Sequence, residues 1–192
     1  MTGTDTPRRM VVGMTGASGS IYGIRLLDEL ERLGIETHLV MSKAAELTLS
    51  YESDLKPRDV RAKAAHSHAV TNVAASIASG SFRTMGMIIA PCSVRTLAEI
   101  ATGVTTSLLT RAADVTLKER RPLVLLLRES PLSLIHIRNM EAVTLAGATV
   151  CVPAPDFYNR PSTIDDIVDA GVGRLLDRFG IESPLINRWT EN

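Results

Sequence analysis

Apolar positions along the chain fall into two alternating patterns. Short apolar runs of strand length are each followed by a longer segment with apolar residues at three- and four-residue spacing. The runs are Val11 to Met14, Ile35 to Met41, Met87 to Ala90, Pro122 to Leu127 and Ala148 to Val152. After the first run, Tyr22, Ile24, Leu26, Leu27, Leu30 and Leu33 form one helical stripe. The same spacing predicts helices over Lys43–Tyr51, Val94–Thr102, about Leu108–Arg120, Leu134–Leu145 and Thr163–Phe179. Residues 56–85 are mixed and loop-rich, with Ser76 to Ser81 the most pliable part. Strands alternating with helices predict an α/β fold, a three-layer, doubly wound parallel sheet in a single domain.

The chain has 192 residues, enough for one substantial core, and 45% of them are hydrophobic, which argues against disorder. A formal net charge of +0 gives no field to attract nucleic acid or an anionic membrane. No apolar run approaches the roughly 20 residues of a membrane helix. Met1 to Arg9 is polar and lacks a signal-peptide core, so it reads as a loose leader on a cytoplasmic protein. Cys92 and Cys151 stand far apart in apolar strands and read as small buried hydrophobes.

In such sheets ligands bind beyond the carboxyl ends of the strands. Those ends carry Thr15 to Ser18, Ser42, Ala90 to Thr96, Arg128 to Ser130 and Pro153 to Arg160. The first, Gly13-Met14-Thr15-Gly16-Ala17-Ser18-Gly19, is a turn of small residues opening a helix. Such a turn is either a tight connection or a seat for an anion on backbone N–H groups at the positive end of the helix dipole. A dinucleotide site wants an acidic residue at the end of the second strand. Met41-Ser42 stands there instead, which favours a mononucleotide.

Arg111 and Lys118 are seven apart on one helix, hence on one face, and Arg128 ends the next strand. Together they could hold a phosphate removed from water; a solvated face reads equally well for Lys118. Glu129 adjoins Arg128, where a carboxyl beside a phosphate can hold or pass a proton. Glu52 closes the helix after Ser42 and, taken alone, is an ordinary helix-end charge. Asp165-Asp166-Ile167-Val168-Asp169 spells a magnesium-diphosphate motif, but its place at a helix start, after a capping Ser162, reads as dipole compensation. His38, His66, His68 and His136 show no metal-ligand spacing on one element, and His66 and His68 read as loop surface.

Several segments stand in a fixed order: Gly13 to Gly19 with Tyr22-Gly23, Ser42 to Ala45 with Glu52, Ser76 to Ser81, Ala90 to Ser93 with Thr96-Leu97, and Arg111 to Val115. Lys118 to Leu123, Arg128-Glu129, Asn139-Met140, Pro155-x-Phe157-Tyr158 and Arg188-Trp189 complete the series. In this order they resemble the UbiX-type flavin prenyltransferases. The resemblance implies a flavodoxin-like, Rossmann-like homo-oligomer, commonly a dodecamer. It implies metal-independent transfer of a dimethylallyl group from dimethylallyl phosphate to N5 and C6 of reduced FMN. The prenylated FMN would serve a UbiD-type decarboxylase. By motif, Gly16, Ala17, Ser18, Ser42, Ser93, Val94, Arg95, Thr96 and Arg128 would hold FMN, with backbone contacts favoured over the Arg95 side chain. Tyr158 and Arg174 would hold the allylic phosphate, with Arg111, Lys118 and Glu129 beside it. Ser18 and Glu52 would handle the proton at flavin N5, and Trp189 would supply an aromatic wall. Residues 1–9 would then be leader, 10–182 the FMN-binding domain, and 183–192 a tail reaching the active site. Two rivals are a flavin-dependent cysteine decarboxylase on the same fold and a non-catalytic FMN-binding subunit. The first is disfavoured because residues 69–86 contain no His and Arg128-Glu129-Ser130-Pro131 replaces its substrate motif. The second is disfavoured because Glu52, Glu129 and Tyr158 are all present.

Overall fold

The computed structural model of the protein describes residues 8–186. Six strands form one sheet: β1 (Arg9–Met14), β2 (Glu36–Met41), β3 (His66–His68), β4 (Gly86–Cys92), β5 (Leu123–Leu127) and β6 (Thr149–Cys151). All pairings are parallel, in the order β3-β2-β1-β4-β5-β6. That is the Rossmann order; without the short edge strand β3 the remaining five run in the flavodoxin order.

Among the described residues seven α-helices cover the sheet: α1 (Ser20–Arg32), α2 (Lys43–Glu52), α3 (Pro57–Arg61), α4 (Val94–Ala101), α5 (Leu108–Lys118), α6 (Leu134–Leu145) and α7 (Ile164–Asp177). Alternate residues of each strand face opposite sides. Met10, Val12, Met14 and Leu39 meet Leu27 and Leu30 of α1, Leu49 of α2 and Leu176 of α7. Val11, Met87, Ile89 and Leu125 meet Leu97 of α4, Leu109 and Ala112 of α5 and Val143 of α6. Burial on both faces explains why the central strands are apolar without alternation. Each such Leu or Ile contributes roughly 1.5–3 kcal/mol of hydrophobic free energy. Helix α6 differs from the others: Leu134, Ile135, Ile137 and Leu145 are all exposed, so it is apolar on its outer side as well.

The predicted strands and helices are found with ends shifted by a residue or two. Arg9 belongs to β1 rather than to a leader; its Nε donates to Glu36 at 3.0 Å. The tail boundary at residue 183 marks no break, because Ser183 Oγ donates to Glu29 of α1 at 2.6 Å and Leu185 packs on the first core. Glu29 is fully buried; its hydrogen bonds from Arg32 and Ser183 outweigh burial and hold its carboxyl below the ordinary range. Thr163, not Ser162, caps α7 through its hydroxyl, while Ser162 donates its N–H and hydroxyl to Asp166. Cys92 is buried in β4, and burial pushes its thiol up to about 12; Cys151 in β6 is half-buried rather than enclosed. Elements β3 and α3 lie inside the segment read as loop.

Candidate active site

The sheet reverses direction of winding between β1 and β4, and the loops beyond these strands are locked together. The buried Thr15 hydroxyl donates to Pro91 O at 2.8 Å and accepts from Ser93 N–H at 2.8 Å. Ser42 N–H, at the tip of β2, donates to Met14 O at 3.0 Å. Three helices therefore begin at one rim: α1 after Gly19, α2 after Ser42 and α4 after Ser93.

Their starts are not equivalent. Gly19 has φ 109°, a left-handed conformation that glycine adopts without strain, and it has no capping side chain. Glu52, at the far end of α2, supplies the cap instead. Its carboxylate accepts from Gly19 N–H at 2.9 Å and from Ser20 N–H at 2.8 Å. Burial by itself would raise the Glu52 pKa; hydrogen bonds from the Ser18 hydroxyl and the Ser20 and Gly19 amides outweigh it and hold the carboxyl below its usual range. The dipole seat at α1 expected from the glycine turn is thus already filled by a carboxylate. The amides of Gly16, Ala17 and Ser18, just before it, make no hydrogen bond to other described residues.

At α2 and α4 the capping groups are hydroxyls. Ser42 Oγ accepts from Ala45 N–H at 3.0 Å, and Ser93 Oγ accepts from Thr96 N–H at 3.3 Å. Each leaves the first amides of its helix facing outward, where an anion is favoured. Between them opens a cavity of about 350 Å³ lined by Thr15, Gly16, Ser42, Lys43, Ser93 and Thr96, with Glu99, Ser107 and Thr110 on its far wall. Its size suits a small ligand. Gly16 forms this wall because a Cβ there would meet the Ala44 Cβ at 2.5 Å. The exposed Arg95 side chain lies at the cavity edge, paired with Glu99 of the wall at 3.0 Å; Val94 packs on the second core.

A second hollow of about 220 Å³ lies on the α1/α7 side of the same rim, lined by Tyr22, Leu126, Cys151, Val152, Pro153 and Arg174 among others. Arg128 stands exposed at the tip of β5, its N–H donating to Cys92 O at 3.1 Å. Glu129 accepts from the Ser130 amide at 2.9 Å. Tyr158 lies exposed on a single 3₁₀ turn, Phe157–Asn159, in the loop after β6. The strand tips and helix starts of this rim carry Gly16, Ala17, Ser18, Ser42, Ser93, Arg128 and Glu129, with Glu52 bonded to Gly19; Arg174 lines the second hollow and Tyr158 lies in the loop after β6. Trp189 lies outside the described residues.

Arg111 and Lys118 do share a face of α5, and within the single chain described they lie apart from Arg128. Helix α5 precedes β5 and runs antiparallel to it. Lys118 therefore ends near the opposite edge of the sheet, about 16 Å of strand away from Arg128. There it pairs with Glu119 at 2.9 Å. Arg111 is engaged by Asp114 at 2.6 Å and by Ala78 O at 3.3 Å. The sequence reading missed Lys43, Glu99, Ser107 and Thr110 as cavity wall; the spacing Ser107-x-x-Thr110 was a usable signal, because the two residues form a reciprocal helix cap.

The sequence profile described as Flavoprotein matches residues 1–176. The flavin prenyltransferase UbiX of Thauera aromatica is 54% identical over 96% of this chain and 95% of its own length. The chain belongs to the UbiX flavin prenyltransferase family. Among solved relatives, the family member AnUbiX (PadA1), in complex with FMN and dimethylallyl pyrophosphate, is 52% identical with a TM-score of 0.94, covering 96% of this chain and 98% of that one. A dodecameric FMN-dependent UbiX-like decarboxylase from Escherichia coli O157:H7 is 51% identical with a TM-score of 0.93, covering 95% and 100%. The FMN-dependent cysteine decarboxylase TvaF, at 17% identity and a TM-score of 0.64, shares the fold alone.

Proposed function

We propose that the protein is a flavin prenyltransferase that joins a dimethylallyl group from dimethylallyl phosphate to reduced FMN and releases phosphate. The observation that carries this reading is the rim cavity itself, in a chain 52% identical to AnUbiX, whose structure is a complex with FMN and dimethylallyl pyrophosphate. The cavity fits a mononucleotide: outward amides of α2 and α4, hydroxyls of Ser42 and Ser93, and a wall kept thin at Gly16. Reduced FMN, when bound, supplies the nucleophilic N5 and C6.

The chain's own residues do the rest. Gly16, Ala17, Ser18 and the first turns of α2 and α4 bind FMN, with Arg128 at its edge. Ser18, its hydroxyl donated to Glu52, holds the proton at flavin N5 between the two side chains. Arg174 and Tyr158 receive the allylic phosphate, and Arg128 and Glu129 border it. Guanidinium groups neutralise the departing phosphate as its charge grows. Arg111 and Lys118 reach such a site only from a neighbouring subunit. Exposed apolar residues on α6 and in the loop after β6, Ile135 and Phe157 among them, favour a homo-oligomer. A twelve-subunit assembly, Trp189 as an aromatic wall and a UbiD-type decarboxylase as recipient complete the reading. No helix among the described residues is long and apolar enough to cross a membrane.

The test is incubation of the protein with reduced FMN and dimethylallyl phosphate in the presence of EDTA, followed by mass spectrometry of the flavin. A flavin heavier by one five-carbon unit is expected, and its addition should activate a UbiD-type apo-decarboxylase. Unchanged FMN overturns the assignment.

A further inference from the structure

Strands β2 and β3 bring together side chains that the sequence keeps 30 residues apart. In their register His38 pairs with His66 and Val40 with His68. Glu36 and His38 share one face of β2, two residues apart. On that face the Glu36 Oε1 atom lies 3.0 Å from His38 Nε2 and 3.3 Å from His66 Nε2. One ligand atom from each of the three residues falls within 4.8 Å of the others. Ligand atoms bound at about 2.0–2.1 Å in a tetrahedron stand roughly 3.3 Å apart. We propose that Glu36, His38 and His66 form a divalent-metal site of the zinc-binding type that fastens edge strand β3 to β2.

The surroundings are those of a supported metal site. His38 Nδ1 lies 3.0 Å from His68 Nε2. With Nε2 on the metal, Nδ1 carries the proton and donates it to His68, which fixes the tautomer and the ring plane. Arg9 Nε donates to the other Glu36 oxygen, Oε2, at 3.0 Å and leaves Oε1 for the metal. Phe82 meets the His38 ring edge-on at 5.0 Å and the Arg9 guanidinium at 4.9 Å, closing the site from above. His38 is 4% exposed, whereas the His66 side chain is 54% exposed, so the fourth position opens to water. Two nitrogens and one carboxylate oxygen suit zinc.

This site is separate from the rim cavity. His38 and Ser42 are four residues apart on an extended strand, about 13 Å. Strand β3 leads directly to Val70, which lines the rim cavity and whose carbonyl accepts from Leu108 N–H at 2.8 Å. A metal at the foot of β3 would therefore fix the segment that forms part of the cavity wall.

The test uses untagged full-length protein stripped with a chelator and titrated with zinc against a chromophoric competitor. One zinc per chain is expected, with the affinity falling at least 100-fold in His66→Ala. His68→Gln should lose about 10–100-fold, the usual cost of removing an outer partner. His136→Ala should bind as the parent does. Zinc should raise the melting temperature of the parent and leave that of His66→Ala unmoved. If His66→Ala fails to fold, Glu36→Gln takes its place in the same comparison. Less than one equivalent bound by the folded parent, or equal affinity in the ligand variants, overturns the site. Flavin prenylation assayed separately on the same preparations reports on the catalytic reading alone.

Discussion

Replacing Glu52 by glutamine separates two roles that one carboxylate combines. Helix α1 begins at a glycine with no side chain to cap it, and Glu52 alone satisfies the Gly19 and Ser20 amides. Loss of a side-chain cap costs about 0.5–2 kcal/mol, and a negative charge at a helix start is worth about 0.3–1 kcal/mol. Glutamine keeps one accepting oxygen and loses the charge, so Glu52→Gln should destabilise by about 1 kcal/mol; alanine loses both, about 2 kcal/mol. In a chain of this size each kcal/mol lowers the melting temperature by roughly 2–4 °C. Thermal unfolding followed by circular dichroism reads this difference at neutral pH. The folded carboxyl is held below its ordinary value of 4.5, so its stabilising contribution is complete above that value and is lost as pH falls through the lowered one. The glutamine variant should lack that part of the acid response. In the flavin assay Glu52→Gln should retain FMN and slow prenyl transfer by about 10²–10⁴, the range for a positioned proton-transfer group. A parent-like melting temperature refutes the capping role; parent-like turnover refutes the proton role.

Arg174→Ala should raise the KM for dimethylallyl phosphate by about tenfold or more, since a hydrogen bond to a charged group is worth about 1.5–3 kcal/mol, while FMN affinity stays unchanged. Loss of FMN binding instead would move the phosphate site elsewhere. Asp166, which accepts from the Ser162 N–H and hydroxyl and the Thr163 N–H, titrates at about 2 rather than 3.8. Its contribution to stability is present above pH 3.8 and disappears as pH falls toward 2. Asp166→Asn should flatten acid unfolding over that window, and an unchanged acid limb would dismiss the interaction.

Much of this fold is legible because a sheet covered on both faces demands continuous apolar strands, as in Met87 to Ala90 and Leu123 to Leu127. Strand β3 escapes detection because His66-Ser67-His68 carries no apolar period and forms only by pairing with β2. The histidine cluster escapes with it, since spacing along one element says nothing about neighbours across a ladder. Thr15 to Ser18, Ser42, Ala90 to Thr96 and Arg128 are legible because strand ends and glycine turns fix them locally, whereas Glu52, Tyr158 and Arg174 enter only through the family resemblance. What filled the α1 start was not legible: Glu52 and Gly19 are 33 residues apart, and only tertiary packing unites them. For Arg111 and Lys118 the limit is a different one. Helical spacing tells which face a residue occupies but not which end of the sheet the helix descends toward.

The oily outer side of α6 makes solubility a property of a population of chains rather than of one. On the proposed assembly, a newly made subunit presents Leu134, Ile135, Ile137 and Leu145 to water until other copies cover them. Polypeptide made faster than copies can find one another would be lost to precipitation. A charged replacement at Ile135 should, on the proposed assembly, leave a folded but solitary chain.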